Sequence, residues 1–151
     1  MKKYIYCIVA AVSAFFLAGC NKDNPASVDR GIVGEWHLTS WNGTDPAGDF
    51  DVYVSFGADG AFDLYQRVET SVYVRYSGSF SAENGTLSGT YSDGEPWSAG
   101  YAYEIGADGN TLTLTSGDDV SIYTRTPVPE DVKTASGASV KSASGGMKRF
   151  L

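Results

Sequence analysis

The sequence is poor in histidine, cysteine and basic residues. Its 151 residues include one histidine, two cysteines and 11 Lys and Arg against 18 Asp and Glu. The shortage of positive charge argues against nucleic-acid binding, which requires a basic surface. No pair of His or Cys residues has metal-ligand spacing, and no phosphate-binding glycine loop is present. We therefore expect no cofactor, no metal and no nucleic-acid partner.

Glycine, tyrosine and hydrophobic residues are plentiful instead. The chain has 18 Gly and 10 Tyr, and 42% of its residues are hydrophobic. The longest apolar run, residues 4–17, falls short of the ~20 residues of a membrane-spanning helix. This length and composition predict one all-β domain with many turns.

Residues 1–19 have the organisation of a secretory signal, with Lys2 and Lys3 before the apolar run. Leu17-Ala18-Gly19-Cys20 resembles the lipobox of bacterial lipoproteins. The resemblance implies cleavage before Cys20, a diacylglycerol on its thiol and a further chain such as palmitate on its amino group. Two or three acyl chains anchor firmly where one does not. We expect residues 20–30 to be a lipidated tether, and the protein to lie on the periplasmic or cell-surface face of the outer membrane of a diderm bacterium.

Eight β-rich runs separated by turn signals occupy residues 31–126. The runs are Glu35–Trp41, Asp51–Phe56, Ala61–Val68, Val72–Ser81, Thr86–Tyr91, Ala99–Ile105, Thr111–Thr115 and Val120–Thr126. The connections are short enough for antiparallel neighbours, so an eight-stranded up-and-down barrel, small and largely packed, is the simplest closure. A two-sheet sandwich is the alternative.

Alternation of apolar and polar residues assigns the two faces of each strand. We expect the barrel interior to hold Trp36, Leu38, Val52, Val54, Phe56, Phe62, Leu64, Val72, Val74, Tyr76, Phe80, Leu87, Tyr91, Tyr101, Tyr103, Ile105, Leu112, Leu114, Val120 and Ile122. The opposite phase carries charged residues, among them Arg125.

Gly34-Glu35-Trp36 in the first strand resembles the G-x-W signature of the lipocalin superfamily, and the stretch from Ile32 to Arg125 is similar to the lipocalin-like domain of bacterial lipoproteins. This resemblance implies that Gly34, Trp36 and Arg125 form a structural signature in which Arg125 packs across Trp36. The alternation places Arg125 outside, so the contact would need a bulge or edge-wise packing. A surface arginine is the alternative.

The meander also divides the loops between the two ends of the barrel. Loops 42–50, 69–71, 92–98 and 116–119 share the end away from Trp36, which we expect to be open. Its acidic residues are Asp45, Asp49, Glu69, Asp93, Glu95, Asp118 and Asp119. Such a rim attracts cations or a basic partner, although Asp also forms turns and keeps a domain soluble.

A ligand at the open end would contact the inward residues nearest to it. These are Val52, Gln66, Val74, Tyr91 and Tyr101, with Trp97 on the loop above. An eight-stranded barrel either fills with its own side chains or holds one small ligand. Core or rim packing is the alternative for each residue.

Catalysis finds no support, because the single histidine, His37, lies on the outward phase and no nucleophile has a recognisable partner. We expect no enzymatic activity and no catalytic residue.

Residues 127–151 change in character. Residues 133–146 have the Ala, Ser and Gly composition of a flexible linker. This tail carries a net charge of +2, whereas residues 31–126 carry −11. It could fold back on the acidic rim, touch anionic lipid or remain solvated, and the stretch 147–151 matches no motif.

Two functions follow. The first is a lipid-anchored, lipocalin-like barrel that binds a small ligand at its open end. The alternative is a packed, non-enzymatic interaction module that contacts a surface protein or glycan through its loops and through exposed Trp41 and Trp97.

Overall fold

A closed antiparallel barrel forms the body of the molecule. The computed structural model describes residues 28–136 and 148–151. The strands are β1 (Gly34–Trp41), β2 (Phe50–Phe56), β3 (Ala61–Val68), β4 (Val74–Glu83), β5 (Thr86–Tyr91), β6 (Tyr101–Ile105), β7 (Thr111–Ser116) and β8 (Asp119–Arg125). Each strand pairs with its sequence neighbours and β8 pairs with β1. The predicted eight-stranded up-and-down barrel is confirmed, and the sandwich is not formed.

Seams of the barrel differ in length. The β2–β3 seam pairs continuously from Phe50 with Val68 to Phe56 with Phe62. The β5–β6 seam pairs only Thr86 with Ala102 and Leu87 with Tyr101. The barrel wall is therefore weakly hydrogen-bonded between β5 and β6 toward the end of the barrel that includes the 92–100 loop.

Large apolar side chains fill the interior. The buried core contains Ile32, Trp36, Leu38, Val52, Val54, Phe56, Phe62, Leu64, Val74, Tyr76, Phe80, Ala82, Leu87, Tyr91, Trp97, Leu112, Leu114, Tyr123 and Leu151. Most of these were assigned inward by alternation. Val72 was not correctly assigned: it is 59% exposed, because β4 begins at Val74 and Val72 lies in the preceding loop.

The phase of β8 is the reverse of the prediction. Ser121 and Tyr123 are buried, whereas Val120 and Ile122 are only half-buried. A β1 irregularity between Leu38 and Ser40 shifts the register against β8. Because side chains alternate with a period of two, this phase also turns Arg125 toward Trp36.

A short helix covers part of the outer wall. Helix α1 (Glu130–Ala135) follows β8, and Val128 and Val132 pack on outward-facing Tyr53 and Tyr65. The Lys133 ammonium lies 3.1 Å from the Glu35 carboxylate of β1. These residues, like 148–151 described below, were expected in a flexible tail and instead pack on the barrel. The predicted signal, Cys20 and residues 137–147 lie outside the described residues.

Candidate functional site

The end of the barrel that holds Trp36 is closed. The Arg125 guanidinium carbon lies 4.1 Å from the centre of the Trp36 ring. The same guanidinium donates to the carbonyls of Gly31, Val33 and Gly109 at 2.8–2.9 Å. A Cβ on Gly34, whose φ is +138°, would lie 2.3 Å from an Arg125 nitrogen, so only glycine admits the arginine there. The contact implied for Gly34, Trp36 and Arg125 is present, with Arg125 inside rather than outside.

The connections 57–60, 84–85 and 106–110 lie at this closed end. The opposite end carries the loops 42–49, 69–73, 92–100 and 117–118, and we call it the open end. Residues 148–151 lie in it, and we call them the docked segment. Leu151 is 2% exposed and belongs to the barrel core. The open end is therefore occupied by the chain itself.

The Gln66 side chain holds the main chain of the docked segment. Its Nε2 donates to the Lys148 carbonyl at 2.8 Å, and its Oε1 accepts from the Phe150 N–H at 2.8 Å. The carbonyl of Lys148 and the N–H of Phe150 flank Arg149. A residue of a neighbouring parallel strand would pair with the same two main-chain groups. Gln66 is 1% exposed. Leaving such a buried amide unpaired costs about 1–3 kcal/mol, so the two bonds matter to whatever covers Gln66.

A second main-chain contact comes from Tyr91, whose hydroxyl donates to the main-chain oxygen of Leu151 at 2.8 Å. Burial raises the pKa of Tyr91 well above its ordinary value of 10.0. The phenol therefore keeps its proton at neutral pH and remains a donor.

The Arg149 side chain lies against two aromatic rings and forms an ion pair. Its guanidinium carbon lies 5.1 Å from the Tyr76 ring centre and 4.4 Å from that of Tyr91. It also donates to both carboxylate oxygens of Asp93, on one of them at 3.2 Å. The hydrogen bond from Arg149 is the main reason that the pKa of Asp93 lies below its usual 3.8. One residue of the acidic rim thus receives a basic group, as charge complementarity would favour.

An aromatic cluster receives Phe150. Its ring meets Trp41 and Phe50 edge-on, at centre distances of 5.9 and 5.5 Å. Trp41 and Phe50 stack on each other at 5.3 Å. This arrangement is the offset and edge-to-face packing that aromatic rings prefer.

Four of the six predicted ligand-binding residues have no described hydrogen bond to the docked segment. Val52 and Val74 are buried in the core, and Tyr101 is half-buried against Trp97. Trp97 was expected to be exposed on a loop, but it is 5% exposed. Its indole fills the β5–β6 seam over Gly89, whose absent Cβ would lie 2.4 Å from the ring.

Sequence reasoning missed the other side of the contact. Phe50 and Tyr76 contact the docked segment and were not assigned to any site. Asp93 was expected only as part of the acidic rim, and Trp41 only as a contact residue of the interaction module. The run of basic, aromatic and aliphatic residues 149–151 was the available signal. It was uninformative without the partner residues, which are 56 or more positions away in the chain.

A separate pocket of 470 Å³ lies on the outer wall beneath the 42–49 loop. The His37 Nε2 lies 2.7 Å from Asp51 Oδ1, and the Tyr73 hydroxyl donates to the other Asp51 oxygen. Burial raises the pKa of Asp51, but the hydrogen bonds from His37 and Tyr73 outweigh burial, so the pKa lies below the usual 3.8. This pocket shares no hydrogen bond with the docked segment among the described residues.

Three buried donor atoms lack a hydrogen-bond partner within residues 28–136 and 148–151. They are the Arg67 Nε, the Trp97 indole nitrogen and the Tyr123 hydroxyl. Burial raises the pKa of Tyr123 well above 10.0, so this hydroxyl also stays protonated. Buried donors are normally paired, and an unpaired one calls for a partner.

The described part of the chain has no group of three or more His, Cys, Asp or Glu side chains placed to hold a metal ion. None of its helices is long and apolar enough to cross a membrane.

Both the sequence and the fold are similar to those of known proteins. The lipocalin-like domain family matches residues 32–114. A crystal structure of a lipocalin-like protein from Bacteroides uniformis ATCC 8492 is similar, with a TM-score of 0.50 and 16% identity over 64% of this chain and 99% of the other. An uncharacterized protein from Bacteroides eggerthii DSM 20697 has a TM-score of 0.47 and 14% identity over 63% and 99%. No curated protein matches the sequence.

Proposed function

Because the chain belongs to the family of lipocalin-like domains, we propose that it is a lipid-anchored binding protein whose barrel takes up a ligand at its open end. The observation that carries the proposal is the docked segment. The open end accommodates residues 148–151 and supplies buried polar contacts from Gln66 and Tyr91 beside apolar ones. Concave sites with a few convergent polar groups are typical binding sites.

The ligand would sit at the open end rather than deep in the barrel. The barrel interior is filled with buried side chains of the strands, and Leu151 also belongs to this core. A ligand must therefore displace the docked segment or lie over it.

The anchor is the second part of the proposal. Cys20 follows Leu17-Ala18-Gly19, and lipidation there would hold the barrel at the outer membrane of a diderm bacterium, on its periplasmic or surface face. Mass spectrometry of the amino-terminal peptide should find a diacylglycerol and an acyl chain on Cys20. The Cys20→Ser variant should leave the membrane fraction. An unmodified Cys20 in the wild-type protein would overturn the anchor.

The proposed function is non-enzymatic. The single histidine of the sequence, His37, sits on the outer wall with its ring stacked on Tyr53 at 4.2 Å and its Nε2 against Asp51. A nucleophilic triad needs its histidine beside a serine or cysteine in a substrate pocket. His37→Asn should leave ligand binding unchanged.

Native mass spectrometry tests ligand binding directly. Protein solubilised from host membranes, or incubated with host extract, should carry a defined extra mass that is lost on denaturation. Tyr91→Phe should reduce the bound fraction, whereas Tyr103→Phe, which removes a hydroxyl bonded to Asp29 near the closed end, should not. Absence of any extra mass, even after the docked segment has been loosened by substitution, would contradict the proposal.

A surface-contact function is the second candidate. Trp41 and Val72 lie on the rim of the open end and are 39% and 59% exposed. Their exposed apolar surface is available for contact with another macromolecule. If this function holds, Val72→Ser should weaken binding of a surface protein or glycan, and Gln66→Leu should not.

A further inference from the structure

The docked segment shows which chemistry the open end can accept. We propose that the open end is a peptide-binding site, selective for a basic, an aromatic and an aliphatic residue in that order, and that residues 148–151 are its displaceable internal occupant. This inference rests on the proposed ligand site and specifies its ligand class.

Gln66 recognises main chain rather than a side chain. One side-chain amide pairs at the same time with the carbonyl of residue 148 and the N–H of residue 150. A donor and an acceptor in this relation flank every residue of an extended peptide. A ligand that covers Gln66 with a hydrocarbon chain would leave both amide groups unpaired. Peptides satisfy the Gln66 amide and fatty acyl chains do not.

The position of Arg149 is selective for a basic side chain. Asp93, Tyr76 and Tyr91 surround a guanidinium, through an ion pair and two aromatic faces. The rim loops also carry no Lys or Arg that would repel a basic ligand. The position for a basic residue is thus defined by charge and by cation–π contacts together.

The two apolar positions complete the site. The Trp41–Phe50 stack presents a surface to an aromatic ring, and the Leu151 side chain is buried in the barrel core. The order of the three positions is fixed because Gln66 pairs on both sides of the basic residue and Tyr91 holds the main chain of the last one.

The docked segment competes with any free peptide for the open end. A covalently linked segment competes at an effective concentration in the millimolar range for short flexible linkers, so a free peptide should bind the unaltered chain weakly. Arg149→Glu together with Leu151→Asp should loosen the docked segment in the full chain, because a carboxylate then faces Asp93 and another would have to be buried.

The probe is a fluorescent heptapeptide, Gly-Gly-Met-Lys-Arg-Phe-Leu, measured by anisotropy. The loosened variant should bind it at least about tenfold more tightly than the wild-type chain, and adding Gln66→Leu or Tyr91→Phe should cost about tenfold or more. Tyr103→Phe is the matched control and should leave binding unchanged. Peptides with the last four residues reversed, or with Glu in place of Arg, should bind at least tenfold more weakly.

A second measurement uses the wild-type chain alone. With 5-fluorotryptophan incorporated, an excess of the same peptide with 4-nitrophenylalanine in place of phenylalanine should shift the fluorine resonance of Trp41, because the nitrated ring then replaces Phe150 at the Trp41 edge. Trp36 at the closed end should stay unchanged.

The outcomes separate this inference from the proposed function. Binding of the peptide with the stated dependence on Gln66 and Arg supports peptide recognition. If the loosened variant binds the apolar dye 1-anilinonaphthalene-8-sulfonate at the open end but not the peptide, the peptide class is wrong and the ligand site stands. If the folded variant binds neither, both are wrong. Peptide binding that ignores Gln66→Leu would overturn main-chain recognition.

Discussion

Arg125 is the residue on which closure of the Trp36 end of the barrel depends. Its planar guanidinium donates to three carbonyls, two of them before β1 and one in the 106–110 loop. The same group covers the Trp36 ring, whose indole nitrogen donates to the Ile32 carbonyl at 2.8 Å. One side chain at the end of β8 thus connects the last strand to the segment before the first strand and to the 106–110 loop.

Replacing Arg125 should lower the free energy of unfolding. Arg125→Ala removes three charge-assisted hydrogen bonds and the cation–π contact, and we expect a loss of about 2–4 kcal/mol. Arg125→Lys keeps the charge but not the planar fork, so it should lose about 1–2 kcal/mol. Urea denaturation followed by tryptophan fluorescence measures both. Equal stability of all three proteins would show that the fork does not hold the closed end.

Asp51 should make the barrel sensitive to acid. Although burial raises its pKa, hydrogen bonds from His37 and Tyr73 hold the pKa below the usual 3.8 in the folded chain. A carboxyl with a lowered pKa stabilises the fold above about 3.8, and this contribution is lost as the pH falls through the lowered value.

The Asp51→Asn variant provides the comparison. Between pH 7 and pH 3 the wild-type protein should lose more unfolding free energy than Asp51→Asn, because the amide does not titrate. Thermal unfolding at a series of pH values measures the difference. Parallel curves for the two proteins would contradict the assignment.

At the scale of elements, the β5–β6 seam is the most weakly hydrogen-bonded part of the wall. Only two residue pairs join these strands, and the Trp97 indole fills the space beyond them. Trp97 also packs on Phe62 at 5.0 Å and donates its backbone N–H to the Gly89 carbonyl at 2.9 Å. The missing side chain of Gly89 is what admits the indole to the seam.

A single methyl group at Gly89 should disturb the seam. Gly89→Ala places a Cβ 2.4 Å from the Trp97 ring, and overpacking of this kind costs about 1–3 kcal/mol. Gly100→Ala is the matched control, since its Cβ would lie 3.8 Å from the nearest atom, on Thr86. We expect a lower melting temperature and a changed Trp97 environment in Gly89→Ala alone. Similar effects of the two substitutions would argue against the role of Gly89.

Strand positions could be predicted from the sequence because turn residues and alternation are local signals. The phase of β8 could not. Val120 and Ile122 look more apolar, but Arg125 must reach Trp36, and the period of two then places Tyr123 and Ser121 inside. Arg125 therefore contacts Trp36, as the resemblance implied, but from inside the barrel and not from the outward face that alternation indicated.

The sequence could not decide between a solvated tail and one folded back on the acidic rim, for a related reason. A helix of six residues is too short to show a clear periodicity, and α1 is fixed by contacts of Val128 and Val132 with the outer wall. Residues 148–151 are fixed by Gln66 and Tyr91 of distant strands. Composition averages over these residues and cannot reveal long-range contacts. Of the candidate site, the sequence predicted Gln66 and Tyr91 and the acidic rim.

At the scale of the whole molecule, charge favours the docked arrangement. Residues 31–126 carry a net charge of −11, and residues 127–151 carry +2. The Arg149–Asp93 pair joins the two parts. Its hydrogen bond holds the pKa of Asp93 below 3.8, so the pair stabilises docking above that pH and is lost on further acidification.

Salt should therefore weaken docking. The ion pair is partly exposed, and the screening length falls from about 10 Å at 0.1 M to about 3 Å at 1 M ionic strength. We expect 1 M sodium chloride to increase the undocked fraction of the wild-type chain, read from the fluorine resonance of Trp41. Arg149→Gln lacks the charge and should respond to salt less. An equal response of both would show that the pair does not contribute.

Amide hydrogen exchange at Phe150 tests most directly whether the open end is a site that binds an extended chain. We expect strong protection of this N–H in the wild-type protein, because it donates to buried Gln66, and loss of that protection in Gln66→Leu while the strands remain protected. Exchange of the Phe150 amide at the rate of an unstructured peptide in the wild-type protein, with the barrel intact, would contradict it.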